Sequence, residues 1–240
     1  LAFSPPSEAQ KRILPIFGAH PLSNVFNQTP VLLVEGEDDE RVWQQAIRSG
    51  RGSIRLHPCS VGGVTELAPF EREVADILNA VYDDAVGYSL RDGDMNSSDM
   101  EDVGGIKRMR LHCRAAENLL VTDEVLAQLR IDWPELQRRM SEWLAGNAAH
   151  PHFAAMAAFA DSGFDRRNGD LKEIRNDLVG IMGDRKQWEV IVGQAIAYAR
   201  DGATVSSAYS ITSFLGQLVC DRLLGLHLSP PITEAGGAGS

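Results

Sequence analysis

Residues 30–45 read PVLLVEGEDDERVWQQ and residues 89–96 read SLRDGDMN. The first stretch opens with Pro30 and a continuous β-rich run, VLLVE, the pattern of a strand buried on both faces. Gly36 allows a tight turn, and EDDERVWQQAIRSG (37–50) reads as a helix with acids in its first turn and Gly50 past its end. The second stretch follows the apolar AVGY (85–88) and puts Asp92 and Asp94 where another buried strand runs out. Strand, turn and helix repeat between them: SIRLHPCS (53–60) is a second strand, VGGV (61–64) a turn, and TELAPFEREVADILNAVY (65–82) an amphipathic helix with Leu67, Phe70, Val74, Ile77, Leu78 and Val81 on one stripe. AVGYSLRD (85–92) is the third strand. This β-α-β-α-β alternation predicts a parallel sheet with right-handed crossovers, whose ligands bind beyond the carboxyl ends of the strands. Glu35, Ser60 and Asp92 fall at those ends.

After a polar loop (95–105), KRMRLHC (107–113) reads as a fourth strand or edge element with basic residues alternating outwards. Residues 123–200 then show Trp, Ala, Met and Leu at helical spacings, in segments beginning TDEVLAQLR, WPELQRRMSEWLAG, HFAAMAAFADSG, LKEIRNDLVGIMG and RKQWEVIVGQAIAYARDG; TSFLGQLVCDRLLGL (212–226) reads as one further helix. The fold class is therefore α/β, a Rossmann-like parallel sheet flanked by helices with a helical insertion. The domain reading is a helix and connector at 1–28, a core at 29–122, an insertion at 123–183, helices completing the core at 184–228, and a tail at 229–240.

With 240 residues, 44% apolar and 23% charged, the chain has the composition of a globular protein with one sizeable core. No segment is long and apolar enough for a membrane span, and no signal peptide stands at the start. The first residue is Leu1 rather than Met, which suggests a fragment with a partner domain upstream. Cys59, Cys113 and Cys220 lack CxxC spacing, so neither a disulfide framework nor a thiolate zinc site is indicated, and a cytoplasmic location is expected. A net charge of −10 means that any nucleic-acid contact needs a local basic patch or bound cations. KRMRLHCR (107–114) is the best such patch, although edge strands also carry charge to resist aggregation.

Like charges at a strand mouth repel unless a cation lies between them. Asp39 lies one helical turn beyond Glu35 and can return toward the same mouth. If the first and third strands are neighbours, Glu35, Asp39, Asp92 and Asp94 converge, and their oxygen donors suit Mg²⁺ or Mn²⁺. Two such ions about 3.5–4 Å apart can clamp a phosphodiester. The bland alternative is that the helix dipole explains the acidic first turn and that the DxD is solvated. It weakens when both acid groups stand at strand mouths of one sheet.

A Glu ending the first strand, then Gly, and a DxD ending the third strand resemble the Toprim family, the catalytic module of topoisomerases, primases and several nucleases; LLVEGEDD and LRDGD carry the likeness over roughly residues 29–120. Within that family the chain resembles the nuclease half of the overcoming-lysogenization-defect (OLD) proteins. The matching features are Glu35, Gly36 and Asp39 as EGxxD, Gly62 and Gly63 after the second strand, Arg114 and Glu117 to Leu120 as R…ENLL, and Lys186 in MGDRKQW. The resemblance implies a Mg²⁺- or Mn²⁺-dependent endonuclease using two ions held by Glu35, Asp39, Asp92, Asp94 and Glu117. It gives Lys186 a phosphate-facing role and Arg114 a positioning role, while the basic patch adds Lys107, Arg108, Arg110 and Arg114, and the strand mouth Ser89, as candidate contacts to nucleic acid. Two positions stay open: Asp38 beside Asp39, and Arg185 beside Lys186.

The resemblance further implies DNA as substrate, with RNA open, a setting in phage defence, an ABC-type ATPase domain upstream, and a homodimer formed through that domain. No GxxxxGK[ST] occurs, so this fragment is not expected to bind ATP. Ser60 and Ser89 can hold water or phosphate, but such serines more often satisfy backbone groups. His150-x-His152 has no acidic or thiolate partner nearby in sequence and reads as a surface or capping pair rather than a zinc site. A signalling receiver has no use for the paired DxD or Glu117, and a haloacid-dehalogenase-like phosphatase carries its DxD on the first strand. A non-catalytic Toprim module that binds DNA or a partner remains the rival reading.

Overall fold

The fold is taken from a computed structural model that describes residues 29–81, 85–94, 98, 100–199 and 207–226. The N-terminal helix expected at 1–28 and the tail at 229–240 lie outside the described residues. Four parallel strands form one sheet in the order β2-β1-β3-β4, with β1 at Val31–Val34, β2 at His57–Ser60, β3 at Gly87–Arg91 and β4 at Ile106–Arg110. The first and third strands are neighbours, with Leu32 opposite Tyr88 and Leu33 opposite Ser89. β2 is shorter than its sequence suggested because a turn closes first, the Ser53 N–H donating to the Gly50 carbonyl at 2.8 Å.

The unbroken VLLV run is explained by its position. All four residues are buried, and successive side chains point to opposite faces of a strand. Val31 and Leu33 join Leu67, Phe70, Val74 and Leu78 of α2 (Val64–Val81) on one face. Leu32 and Val34 meet Val42, Trp43 and Ala46 of α1 (Glu37–Ser49) on the other. Each fully buried Leu or Val contributes about 1.5–3 kcal/mol relative to exposure, so a polar residue on either side of β1 would cost most of that.

The second apolar cluster extends without a break from the sheet into the helical region, taking in Met140, Met156, Leu178, Trp188, Ile191 and Ile196. That region comprises a 3-10 turn (Ala116–Val121), α3 (Asp123–Gln128), α4 (Trp133–Gly146), α5 (Phe153–Asp161), α6 (Arg175–Met182) and α7 (Trp188–Ala199). α4 begins where its sequence says it should: the Asp132 carboxylate accepts from the Glu135 N–H at 2.8 Å, and Pro134 occupies the first turn. α6 begins at Arg175 rather than at Leu171, leaving Lys172 in a preceding turn.

The single helix expected at 212–226 is instead broken into α8 (Ile211–Leu215), α9 (Gln217–Val219) and a π-helical turn (Cys220–Leu224). Gly216 ends α8 at φ +86°, and a Cβ there would lie 2.5 Å from the His112 ring. The break is thus a close approach that only glycine permits.

Candidate metal centre

Four carboxylates gather at the carboxyl edge of the sheet. Glu35 follows β1 and Asp92 follows β3, and the Asp92 N–H donates to Glu35 Oε1 at 3.3 Å. Adjacency of the two strands makes this link across 57 residues. Asp39, in the first turn of α1, folds back so that its Oδ2 accepts from the Gly36 N–H at 3.0 Å. Glu117 enters from the 3-10 turn and is buried. That turn is docked by the site itself, the Ala116 N–H donating to Asp92 Oδ1 at 3.2 Å.

Beneath the acids lies an apolar floor of Val34, Val42, Trp43, Leu90, Leu111 and Leu119. It explains their protonation behaviour, since burial disfavours a charged carboxylate. Burial, then repulsion from Asp39, Glu35 and Glu117, pushes the Asp92 carboxyl up to about 8. Burial, opposed by the Gly36 N–H, with repulsion from Glu117 and Glu35, pushes Asp39 up to about 7. Glu35 is raised by burial and by Asp94, against the hydrogen bond from Asp92, and Glu117 is raised by burial. Such a group is poorly charge-balanced without a cation.

The DGD turn has a steric reason for its glycine. A Cβ on Gly93 would stand 2.0 Å from the Cys113 carbonyl oxygen, so the loop after β3 presses directly on the segment after β4. Asp94 is exposed, adopts φ +42° and donates its N–H to the Arg114 carbonyl at 3.0 Å. It stands at the rim and acts on Glu35 through its charge. Gly36 differs from its sequence reading: its φ of −128° is open to any residue, and a Cβ would make only ordinary contact with Asp39 at 3.6 Å.

Asp38 and Asp39 have different partners. Asp38 pairs with Arg41 at 3.0 Å and with Arg175 at 2.9 Å and its charge reaches Glu117, whereas Asp39 feels Glu117 and Glu35 and acts on Asp92. For the cation, Lys186 pairs with Asp184 at 3.7 Å in a half-exposed position, and the Arg185 N–H is also bound to Asp184. Lys172 is the lysine that the acids feel, beside Arg91 near Glu35 and Arg175 near Glu117. Its ammonium lies 3.8 Å from Asp92 Oδ2; burial works against its charge, but Asp92, Glu117, Asp39 and Asp94 raise its pKa overall. Arg175 adds a guanidinium 3.8 Å from Glu117 Oε1.

Sequence reasoning missed Lys172 because it precedes a helix start that the periodicity placed four residues too early. One signal was present in ENLL. The buried Asn118 amide donates to the Arg166 and Gly169 carbonyls at 3.0 and 2.9 Å, tying down the loop that leads to Lys172.

Several nucleic-acid candidates are engaged within the molecule. Ser89 has no exposure and donates to Glu71 Oε1 at 2.6 Å, which removes it from any surface role. Arg108 pairs with the same buried Glu71 at 3.2 Å, as does Arg91 at 3.1 Å. Lys107 pairs with Asp102 at 3.0 Å, and Arg110 donates to the Asp92 and Gly93 carbonyls at 3.4 Å, bracing the DGD turn. Arg114 pairs with Asp170 at 2.7 Å. The Ser60 N–H donates to Glu40 Oε2 at 2.9 Å.

The all-oxygen donor set and the crowding of carboxyl groups that resist ionising together fit a hard divalent cation of the Mg²⁺ or Mn²⁺ kind. Among the described residues, three metal-capable side chains whose ligand atoms lie within 4.8 Å of one another occur at His150, His152 and Asp177. That triad is what packing adds to the surface pair His150-x-His152. An acidic partner is present, brought from 25 residues further on by the packing of α6.

Fold and site together define a parallel α/β chain with an acidic, desolvated centre beyond the carboxyl ends of β1 and β3. No helix among the described residues is long and apolar enough to cross a membrane. No family model and no curated protein matches the chain. Among solved structures it is similar to the C-terminal region of the Xanthomonas campestris pv. campestris OLD protein. The platinum-phased structure shares 16% identity over 80% of this chain and 90% of that one, with a TM-score of 0.35. The iodine-phased structure shares 17% over 71% and 85%, with a TM-score of 0.33. Overlap this loose transfers no residue roles.

Proposed function

We propose that the chain is a metal-dependent endonuclease domain of the Toprim type, in the OLD group, that hydrolyses phosphodiester bonds. The observation that carries the reading is the meeting of Glu35 and Asp92 across neighbouring parallel strands, with Asp39 and Glu117 closing on them from a helix and a 3-10 turn. Glu35, Asp39, Asp92 and Glu117 would hold the cations, with Asp94 at the rim. When bound, a pair of divalent ions would activate water and neutralise charge on the phosphate.

The remaining work belongs to the chain's own residues. The apolar floor excludes water from beneath the carboxylates and strengthens every charge interaction above it. Lys172, reinforced by Arg175, is assigned to the phosphate in place of Lys186, because it is the ammonium that faces the acids. Asn118 positions the loop that carries it. Half-buried Arg114, paired with Asp170, would steer the polynucleotide. The reading extends to a cytoplasmic protein in which an ABC-type ATPase precedes this domain and mediates dimerisation, with ATP bound there.

The test is nicking of supercoiled plasmid by the 240-residue chain with Mg²⁺ or Mn²⁺, beside a single-stranded RNA of matched length. Cleavage should require the ion, and Asp92→Asn should abolish it while the fold persists by circular dichroism. Equal cleavage in EDTA, or by the Asp92→Asn variant, overturns the assignment. Cleavage of RNA alone transfers the same chemistry to the other substrate.

A further inference from the structure

A second cluster of metal-capable side chains lies away from the sheet, in the helical region. The turn between α4 and α5 carries His150-Pro151-His152, and Asp177 projects from the first turn of α6. His152 Nδ1 stands 2.7 Å from Asp177 Oδ2, and His150 Nε2 stands 4.0 Å from Asp177 Oδ1. The two imidazole centroids are 5.2 Å apart. One ligand atom from each of the three residues falls within 4.8 Å of the others. Pro151 fixes the backbone between the histidines, so their spacing is set before any ion arrives. The carboxylate is largely buried at 19% exposure, while the imidazoles are 34% and 41% exposed. The site is therefore anchored on one side and open to solvent on the other.

We propose that His150, His152 and Asp177 bind a late first-row divalent cation, Zn²⁺ above all, as a staple between the α4–α5 turn and α6. The donor chemistry separates this site from the acidic centre. Two imidazoles with one carboxylate suit Zn²⁺, Co²⁺ or Ni²⁺, whereas Mg²⁺ prefers oxygen alone. Three protein ligands leave a fourth tetrahedral position, which the open side supplies with water. Binding replaces the direct hydrogen bond between His152 and Asp177 with two bonds to the ion, which requires the pair to part by a few tenths of an ångström. At His150 the ring nitrogen Nδ1 now accepts from the His152 N–H at 3.2 Å. Coordination through Nε2 moves the ring proton to Nδ1 and ends that hydrogen bond. Both imidazoles bind an ion in their neutral form, so protons compete with uptake at low pH.

The ion would tether an exposed turn to α6, the helix that follows Lys172, across a 25-residue separation. Trp143 packs edge-on against His150 with centroids 4.9 Å apart, which places an indole beside the ion. Paramagnetic Co²⁺ or Ni²⁺ bound here should quench its fluorescence.

The test uses the full chain stripped with EDTA and then titrated with Co²⁺ and Zn²⁺. We expect one Co²⁺ with tetrahedral ligand-field absorption, displaced by Zn²⁺, with partial quenching of tryptophan emission that Trp143→Phe removes. His150→Ala and His152→Ala should each weaken the Co²⁺ binding that gives tetrahedral bands at least tenfold, while Asp92→Asn leaves those bands unchanged. That last arm keeps the result separate from the nuclease reading. Asp177→Asn retains shape and hydrogen bonding and should also lose affinity, which covers the case in which a histidine variant loses its fold. Absence of tetrahedral bands, or bands that survive the His150→Ala, His152→Ala double variant and vanish in Asp92→Asn, overturns the proposal.

Discussion

Replacing Asp92 by Asn should make the metal-free protein more stable at pH 8. The carboxyl titrates near 3.8 in an unfolded chain and at about 8 in the fold, because burial and then Asp39, Glu35 and Glu117 oppose its charge. The folded state therefore holds a proton that the unfolded state has released. Stability from this group is complete below pH 3.8 and is lost as pH climbs through 8. At about 1.4 kcal/mol per tenfold change in proton affinity, the loss is roughly 5 kcal/mol. Part of it is shared with Asp39, whose charge opposes that of Asp92.

The amide keeps the oxygen that accepts from the Ala116 N–H. The ion pair to Lys172 is lost, but at 3.8 Å with a 61% exposed lysine it is worth less than about 1 kcal/mol. A net gain of about 2–4 kcal/mol remains, or roughly 4–16 °C in Tm for a chain of this size. Thermal melts of parent and variant in EDTA from pH 5 to 8.5 read the difference directly. The curves should diverge as pH rises. Mn²⁺ should raise the parent Tm at pH 8 and leave the variant nearly unmoved. Parallel curves, or a variant less stable than its parent at pH 8, would refute the picture of uncompensated buried charge.

Three further outcomes follow from the same geometry. Glu71→Ala leaves the guanidiniums of Arg91 and Arg108 and the Ser89 hydroxyl without their shared carboxylate and should cost about 3–5 kcal/mol in urea unfolding; a loss below about 1 kcal/mol rejects this accounting. Gly93→Ala forces a Cβ against the Cys113 carbonyl, so it should lower the melting temperature and abolish ion-dependent cleavage together, and a variant with parental behaviour in both assays contradicts the close approach. Lys172→Ala should slow cleavage at least tenfold while Lys186→Ala leaves it within about twofold, since one ammonium faces Asp92 and the other Asp184; the reverse order in a plasmid assay restores Lys186 to the site.

Much of this architecture is readable in linear form, because local rules write it. A run of four apolar β-formers means a strand covered on both faces, and alternation with amphipathic helices means parallel pairing. Glu35 and Asp92 could be placed at strand ends from periodicity alone. Their contact needed only one assumption, the adjacency of β1 and β3, which the register bears out. The helix at 133–146 was equally legible, since Asp132 and Pro134 mark its start.

Other features depend on groups distant in the chain. Asp38 and Asp39 are chemically alike, and what separates them is Arg175, 137 residues from Asp38. Lys172 and Lys186 both precede helices, and the anchoring of one loop by Asn118, the Arg114 N–H and the Arg166 guanidinium brings an ammonium to Asp92. Ser89 looked like a strand-mouth hydroxyl until Glu71 of α2 packed over it. The His150–His152 pair gained its acid from α6. Pattern and propensity act over a few residues and so write strands, helices and their order into the chain. Which charges neutralise one another, and which remain facing a shared pocket, is settled by packing between elements, where a shift of one helical turn exchanges one partner for another.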